Sequence, residues 1–492
     1  MADYDLAVIG GGINGAAIAR DAAGRGLRVA LIEQNDLASA TSSASTKLIH
    51  GGLRYLETGK LRLVRESLQE RSLLLKLAPH IVTPLDFVLP HADTGRPRFI
   101  VRIGLALYDL LAGRTQLPSS RAIRLDTPEL NPRLRHGFRY SDARVDDSRL
   151  VILNAVAAAE LGADVLTRTR CSALAVDAGS WHLDLAAGND RRHITARGVV
   201  NATGPWATEL LTAANIQGAR HRLRLVKGSH IVVRRLYEAD HAFLFQNLDG
   251  RVVFTIPYTR DFTLIGTTEV DYEGDLAQLA ATPDEVEYLC SAVSLYMLTP
   301  VKPDQVVWSY AGVRPLLDDG ANAGTRVTRE YKLDLDTAAG APMLTVFGGK
   351  ITTSRHLAEE CMTLLAPHLG VSADWTHTVP LPGGDVPDGD VDAYVLSCHT
   401  TWPWLPLPLL RRFISAYGTR IRALIGECTT VADLGRRFAN GLYERELCYL
   451  RDVEWARGSE DVLWRRTRLG LEASAMEQQE IEHWFITHPP SA

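Results

Sequence analysis

Nowhere does the 492-residue sequence hold an uncharged apolar run of the ~18 residues a bilayer-spanning helix needs. It also lacks, at its start, a basic region leading into an apolar stretch and a cleavage site, so no secretory signal is expected. The expected location is the cytoplasm, or the membrane held from its cytoplasmic side. Strong charge of either sign is missing too: a formal net charge of -5 provides no global field to recruit nucleic acid. Cysteine is sparse and scattered, at Cys171, Cys290, Cys361, Cys398, Cys428 and Cys448. No pair has the close spacing of a zinc or dithiol site, so no metal is expected, and the thiols read as incidental in a reducing compartment. Internal repeats and low-complexity segments are absent. What remains is a globular chain too long for one compact core, for which two or three domains are expected.

The first thirty-odd residues carry the densest information. Tyr4 to Ile9 reads as a buried strand, Gly10-Gly11-Gly12-Ile13-Asn14-Gly15 as a turn, Asn14 to Arg25 as a helix and Arg28 to Glu33 as a second strand. That is the length and order of a βαβ unit. Gly10, Gly12 and Gly15 fit G-x-G-x-x-G, in which the glycines allow the tight turn, the close approach of pyrophosphate and the packing of helix on strand. The helix start offers unpaired N–H groups and its positive dipole end to phosphates. Gly15, Ala19 and Ala23 share one face and let the helix sit close to the sheet. Glu33, about twenty residues past the turn, is placed to bind the ribose hydroxyls and disfavours a 2′-phosphate.

The stretch from Leu37 to Gly52 is dense in hydroxyls and glycine. It follows Glu33 too closely for a nicotinamide site and suits a loop running along a second nucleotide half, where hydroxyls and backbone N–H groups serve ribityl and pyrophosphate oxygens. Beside the fingerprint, it favours FAD over NAD.

Later segments read as an interrupted dinucleotide fold. Leu150 to Leu161 is helical in pattern, 164–166 re-enters a strand, the stretch to Arg197 turns like a small sheet, and 198–204 is a strand ending in a glycine turn. Ser229 to Val233, Arg251 to Pro257 and Phe262 to Thr267 have the β-branched and aromatic content of paired strands, with 258–261 as a hairpin connection. The Pro- and Gly-rich segment 380–390 reads as a linker. Beyond it, helices are expected at Leu409 to Tyr417, Arg420 to Ile425, Tyr443 to Trp455 and Ser459 to Leu471. The fold class is therefore α/β and α+β: a discontinuous Rossmann-like FAD-binding domain (1–75, 145–210, 307–380), an antiparallel-sheet substrate domain (76–144, 211–306) that roofs the flavin, and a C-terminal helical domain (388–492).

Several segments stand in the order of a known family: Gly10 to Gly15, the run from Ser42 to Leu56 containing His50-Gly51-Gly52-Leu53-Arg54-Tyr55-Leu56, Asn201 to Trp206, Lys227-Gly228-Ser229-His230, Ile265 to Thr268, Gly312-Val313-Arg314-Pro315-Leu316, Phe347 to Thr353, and Leu463-Trp464-Arg465-Arg466-Thr467. Through them the chain resembles, essentially end to end, the bacterial aerobic FAD-dependent glycerol-3-phosphate dehydrogenases of the wider D-amino-acid-oxidase-like flavoprotein group. Ala311 stands where serine commonly precedes Gly-Val-Arg, and Ile351 where leucine is common; neither removes a group the chemistry needs. The resemblance implies non-covalent FAD and transfer of a hydride from C2 of sn-glycerol 3-phosphate to flavin N5, giving dihydroxyacetone phosphate. It also implies reoxidation by membrane quinone, a C-terminal cap domain, a homodimer, and peripheral attachment to the inner face of the cytoplasmic membrane. Cofactor contacts are expected from Gly10, Gly12, Gly15 and Glu33, from Ser42, Ser43, Thr46, Lys47, Gly51 and Gly52, from Thr203 and Gly204, and from Gly348, Gly349, Lys350 and Thr352.

A phosphomonoester alcohol needs a cationic cradle and a group to take the hydroxyl proton as hydride leaves. Arg314 is the first choice to hold substrate oxygen. Lys350, after two glycines, would contact substrate or favour reduced flavin. Arg54, Tyr55 and Arg329 are candidates for the phosphate, against the commoner surface or salt-bridging fate of an arginine. His50 and His230 compete as general base, since imidazole titrates near working pH. The rival readings are an oxidase of the same substrate that uses O2, an amine or amino-acid oxidase of the same fold, and a flavin-binding scaffold without catalysis.

Two stretches are candidates for membrane contact. Arg96, Arg98, Arg102 and Arg114 bracket Phe99, Ile100, Ile103, Leu107, Leu110 and Leu111 at helical spacing, the pattern of a basic amphipathic helix lying in a headgroup layer. The stretch from Trp402 to Ile425, rich in Trp, Leu and Arg, is the second.

Overall fold

In the computed structural model, which describes residues 2–91, 97–214, 223–247, 249–318, 330–371 and 373–490, the apolar run Tyr4–Ile9 lies inside an eight-stranded sheet. From one edge the order is Lys332–Asp336, Met343–Phe347, Asp190–Asn201, Tyr4–Ile9, Val29–Ile32 and Asp164–Leu166. All but the first of these run parallel. Parallel strands are covered on both faces, which is why Val29–Ile32 and Met343–Phe347 are apolar or buried at every position instead of alternating. One cover is the helix layer Ile13–Gly24, Asp147–Glu160 and Ser354–Leu369. The other is a meander, Arg170–Asp177 and Ser180–Ala187, that hangs from Asp190–Asn201 and packs Trp181, Leu183 and Leu185 against Ala7, Ile9 and Ile32. The helix Ile13–Gly24 is buried around most of its circumference because small residues fill it; a Cβ on Gly15 would lie 1.9 Å from the Gly10 carbonyl oxygen.

A second, ten-stranded sheet holds the order Val270–Asp271, Leu223–Arg234, Phe262–Gly266, Val252–Tyr258, Ala242–Gln246, Val82–Pro90, His136–Val145 and Leu48–Ile49. Val306–Leu317 and Arg121–Arg124 flank it. The expected hairpin closes with Tyr258 opposite Phe262. One assignment changes: 307–317, placed with the FAD-binding part, belongs here. Its backbone pairs antiparallel with 223–233 along nearly its whole length, including Gly228 opposite Gly312. That long-range ladder outweighs the chain proximity to Met343–Phe347.

The segment 380–390 is a packed strap, not a loose linker. Leu381 N–H donates to the Leu77 carbonyl at 2.9 Å and Thr419 N–H to the Gly383 carbonyl at 3.1 Å. A Cβ on Gly384 would sit 2.1 Å from the Leu77 oxygen, so glycine here allows backbones to touch. The C-terminal region has its own core, with helices Val391–Thr401, Leu407–Tyr417, Ile421–Ile425, Glu444–Val453 and Ala475–Thr487. The stretch 402–425 turns Leu409, Leu410, Phe413, Ile414, Tyr417, Ile421, Leu424 and Ile425 into that core, so its apolar face is spent inside the protein. The expected helix 459–471 is broken into a π-helical turn, Asp461–Arg466, and a 3-10 turn, Leu469–Leu471. Asp461, Val462, Leu463, Arg465 and Arg466 are all buried, a demand that no single helical stripe meets.

Candidate active site

The carboxyl ends of the parallel strands, where such folds bind ligands, meet the ten-stranded sheet around a cavity of about 580 Å3. Gly10 and Gly12 line it, as do Glu33, Ser42, Thr46, Thr203, Gly204, Gly348, Gly349, Lys350 and Thr352. So do His50, Tyr55 and Arg314. Most of the residues singled out in the sequence are thus brought to one place.

The first part of the site is made of backbone. Gly10 sits at φ +113°, where a Cβ would also meet the Ala202 oxygen at 2.5 Å. Gly12 caps the helix Ile13–Gly24 without a side chain. The Ser42 hydroxyl accepts from Ile13 N–H at 3.0 Å, tying the hydroxyl loop to the helix start. Glu33 accepts from Gly11 N–H and Asn35 N–H, each at 2.7 Å. Burial nevertheless pushes its carboxyl above the usual range.

The second part is made of long side chains. Arg314 extends from Val306–Leu317, and its Nη2 donates to Thr267 Oγ1 at 3.3 Å. On the neighbouring strand Leu223–Arg234, a Cβ at Gly228 would lie 2.7 Å from that Nη2, so glycine makes the space the guanidinium needs. Lys350 Nζ lies 4.0 Å from the centroid of the Tyr55 ring, a cation–π contact. The Tyr55 ring in turn passes over Gly52, which stands at φ +76°; a Cβ there would be 2.2 Å from the ring. At Gly312 a Cβ would meet Ala44 at 2.7 Å, and Thr41 Oγ1 donates to the Val313 carbonyl at 2.8 Å. The hydroxyl loop and the sheet are therefore locked together beside Arg314.

Other expected residues lie just behind this surface. Lys47 is buried in an ion pair with Asp147 at 2.7 Å and also donates to the Ser43 carbonyl. The Ser43 hydroxyl bonds back to Ala40, and Gly51 N–H donates to the Tyr108 hydroxyl. Gly15 is a packing glycine and Gly52 a positioning one. Arg54 Nη1 is 3.7 Å from Glu269 and does not line the cavity. His230 is buried, stacks on Tyr310 at 4.8 Å, and shares a 3.0 Å hydrogen bond with Thr46 Oγ1 through Nε2. Burial, then Arg314 and Lys47, drive its pKa well below the ordinary imidazole value. Of the two histidines, only His50 faces the cavity. Arg329 lies outside the described residues.

Sequence reading missed Asn14, Thr267 and the wall Thr169 to Ser172. Asn14 stands inside a motif read for its glycines, and Thr267 at the end of a stretch read for its strand character. Asn14 Nδ2 donates to the Gly348 carbonyl at 3.1 Å, while its buried Oδ1 has no partner among the described residues. Nothing in the sequence signals 169–172, which joins the cavity because Asp164–Leu166 pairs beside Val29–Ile32.

The family of FAD-dependent oxidoreductases matches residues 5–355. A Pseudomonas aeruginosa protein named glycerol-3-phosphate dehydrogenase is 47% identical over 491 residues, covering 99% of this chain and 96% of its own. A Brucella abortus protein named D-erythritol 1-phosphate dehydrogenase is 46% identical over 490 residues, covering 98% and 97%. Among solved structures, the Bacillus halodurans glycerol-3-phosphate dehydrogenase complexed with FAD superposes with a TM-score of 0.76 at 26% identity, over 98% of this chain and 88% of that one. The residues here fit FAD: the helix start at Gly12 carries no side chain, Gly12, Asn14 and Glu33 line the cavity, and the buried Asn14 Oδ1 has no partner among the described residues.

Proposed function

Because the chain belongs to the FAD-dependent oxidoreductase family, we propose that it oxidises sn-glycerol 3-phosphate to dihydroxyacetone phosphate. The observation that carries this reading is the pairing of a dinucleotide cradle with the cations Arg314 and Lys350 in one cavity. FAD, when bound, would supply the two-electron acceptor for the hydride that leaves substrate C2. Gly10, Gly12, Asn14, Glu33 and Ser42 would hold the cofactor. Arg314 binds substrate oxygen, its fork steadied by Thr267. Lys350, kept over the Tyr55 ring, adds the second cation for the phosphomonoester. A ring nitrogen of His50 takes the C2 hydroxyl proton, because His230 stands off the cavity with Nε2 engaged by Thr46.

The Brucella abortus relative supports a second reading, a larger phosphorylated polyol such as D-erythritol 1-phosphate. Anaerobic titration of the purified flavoprotein separates the two. Glycerol 3-phosphate is expected to bleach the visible flavin bands at lower concentration than D-erythritol 1-phosphate. The reverse order would assign the chain to the tetritol phosphate, and bleaching by dithionite but by neither ester would end both readings.

Membrane quinone as acceptor, attachment to the inner face of the cytoplasmic membrane and a homodimer complete the proposal. No helix among the described residues is long and apolar enough to cross a membrane. Support for peripheral contact comes from the helix Arg98–Ala112, which buries Leu105 and Tyr108 and turns Phe99, Ile103 and Leu110 outward at 65%, 63% and 75% exposure. Arg102 is tied to Ser120, Arg114 borders a groove with Arg65 and Lys76, and Arg96 lies outside the described residues. The homodimer rests on the resemblance, with sedimentation as its test.

A further inference from the structure

The motif Leu463-Trp464-Arg465-Arg466-Thr467 faces no part of the cavity, yet its side chains run to the loop that does. Of the hydroxyl loop, Ala38 to Ser42 and Ala44 to Thr46 line the cavity, with Asp36 two residues before this stretch and Lys47 directly after it. Both are buried charges.

Asp36 is gripped by the C-terminal region. Arg465 Nε donates to it at 2.6 Å, and Arg466 donates through both terminal nitrogens at 2.7 and 2.8 Å, a bidentate pair. Burial alone would raise the Asp36 carboxyl; Arg466 and Arg465 outweigh it and hold the group down to about 2. At the far end, Asp147 accepts from Lys47 Nζ and, at 2.7 Å, from the Ser45 hydroxyl. Arg468 faces the same acidic pair, with Nη2 2.9 Å from Asp146 and 3.7 Å from Asp147. An uncharged route joins them: Trp464 stacks on Trp308 at 4.4 Å, Trp308 lies 4.8 Å from Tyr310, and the Tyr310 hydroxyl donates to the Ser45 carbonyl at 2.8 Å.

We propose that the turn 461–468 is a positioning element for the FAD site, holding the loop 38–46 at both of its ends from the C-terminal region. The π-helical winding is what turns Arg465 and Arg466 inward together. In this reading the C-terminal region does more than cover the fold: it sets the shape of the cofactor's bed without touching the cofactor. The inference rests on the cavity being the FAD site, which the colour and substrate bleaching of the unaltered protein test separately.

The experiment compares full-length variants by FAD dissociation constant, from recovery of free-flavin fluorescence, and by the visible circular dichroism of bound flavin. Arg465→Met and Arg468→Met are expected to weaken FAD binding at least tenfold and to alter the flavin dichroism, with Arg468→Lys recovering part of the affinity. Trp464→Leu, which strands no charge, is expected to weaken it severalfold and carries the test if an arginine variant fails to accumulate. The control is Arg412→Met, which breaks the pair between half-buried Arg412 and buried Glu446 in the C-terminal region. It should lower the unfolding temperature while leaving FAD affinity and dichroism unchanged. Equal weakening by Arg412→Met, or unchanged affinity in both Arg468→Met and Trp464→Leu, overturns the proposal.

Discussion

In one part of the cavity the chain presents its backbone, and in the other its longest side chains. Around Gly10 to Asn14 the fold works by leaving atoms out: a positive φ at Gly10 and a bare helix start at Gly12. Around Arg314, Lys350, Tyr55 and His50 it works by putting atoms in and clearing space for them with glycine at Gly52 and Gly228. A site built of backbone is broken by adding a side chain and is indifferent to most losses. A site built of side chains fails when one is cut back. The largest effect should follow from that asymmetry. Gly12 has φ -80°, open to any residue, and a Cβ there would meet only the Ser42 hydroxyl at 3.1 Å. Gly12→Val is therefore expected to fold but to purify colourless, with FAD affinity lost; a yellow variant with full flavin content breaks the comparison. At Gly10, by contrast, the same change strikes the Ala202 carbonyl, and soluble protein should drop as well.

The side-chain part should show the opposite pattern. Arg314→Ala is expected to keep its flavin and lose about 10²–10³-fold in kcat with glycerol 3-phosphate, the scale of one charge-stabilising donor. Arg314→Lys should recover only part, since an ammonium lacks the planar fork. Loss of flavin with normal turnover per bound FAD would move Arg314 to the cofactor.

The two histidines sharpen the division further. His50→Asn should lower kcat by about 10²-fold, the lower range for a general base, whereas His230→Asn should change it less than about threefold because that ring only buttresses Thr46. The second variant should be visible in stability instead. His230 has its folded pKa depressed by burial, so the unfolded chain takes up a proton that the folded one refuses as pH falls below the ordinary imidazole range. Its contribution is thus present above that range and lost toward acid. Urea midpoints of His230→Asn should fall less steeply between neutral and acidic pH than those of the unaltered protein; identical slopes would contradict the assignment.

How far this could be read from the sequence follows the same line. Backbone-built features are local: a glycine spacing, a strand before it and an acid after it identify Gly10, Gly12 and Glu33 with no knowledge of the rest of the chain. Features built by side chains from distant segments are not. The hydroxyl loop was recognisable as a site loop, but which of its residues line the cavity depends on Asp147, a hundred residues away, which draws Lys47 aside. Likewise the strand 307–317 was grouped with the FAD-binding part, whereas its pairing partner is the distant stretch 223–233. Arg314 and His230 were both singled out through their motifs, and the structure places the first on the cavity and the second behind its wall. Both occupy the same strand pair, yet Gly228 opens the space beside one while Tyr310 stacks over the other.

The smallest effect tests the tolerance claimed for the backbone part. Ser42 makes one hydrogen bond to the helix start, from Ile13 N–H at 3.0 Å, and lines the cavity. Its loss as Ser42→Ala removes an acceptor from a single N–H, a group at a helix start that water can reach when the cofactor is absent. A hydrogen bond of that kind is worth about 1 kcal/mol, or roughly fivefold in affinity. FAD titration should therefore show a modest rise in dissociation constant, with kcat at saturating FAD unchanged, since Arg314, Lys350 and His50 are untouched. A loss as large as that of Gly12→Val would mean that the hydroxyl, not the bare backbone, holds the diphosphate, and the contrast between the two parts of the cavity would fall with it.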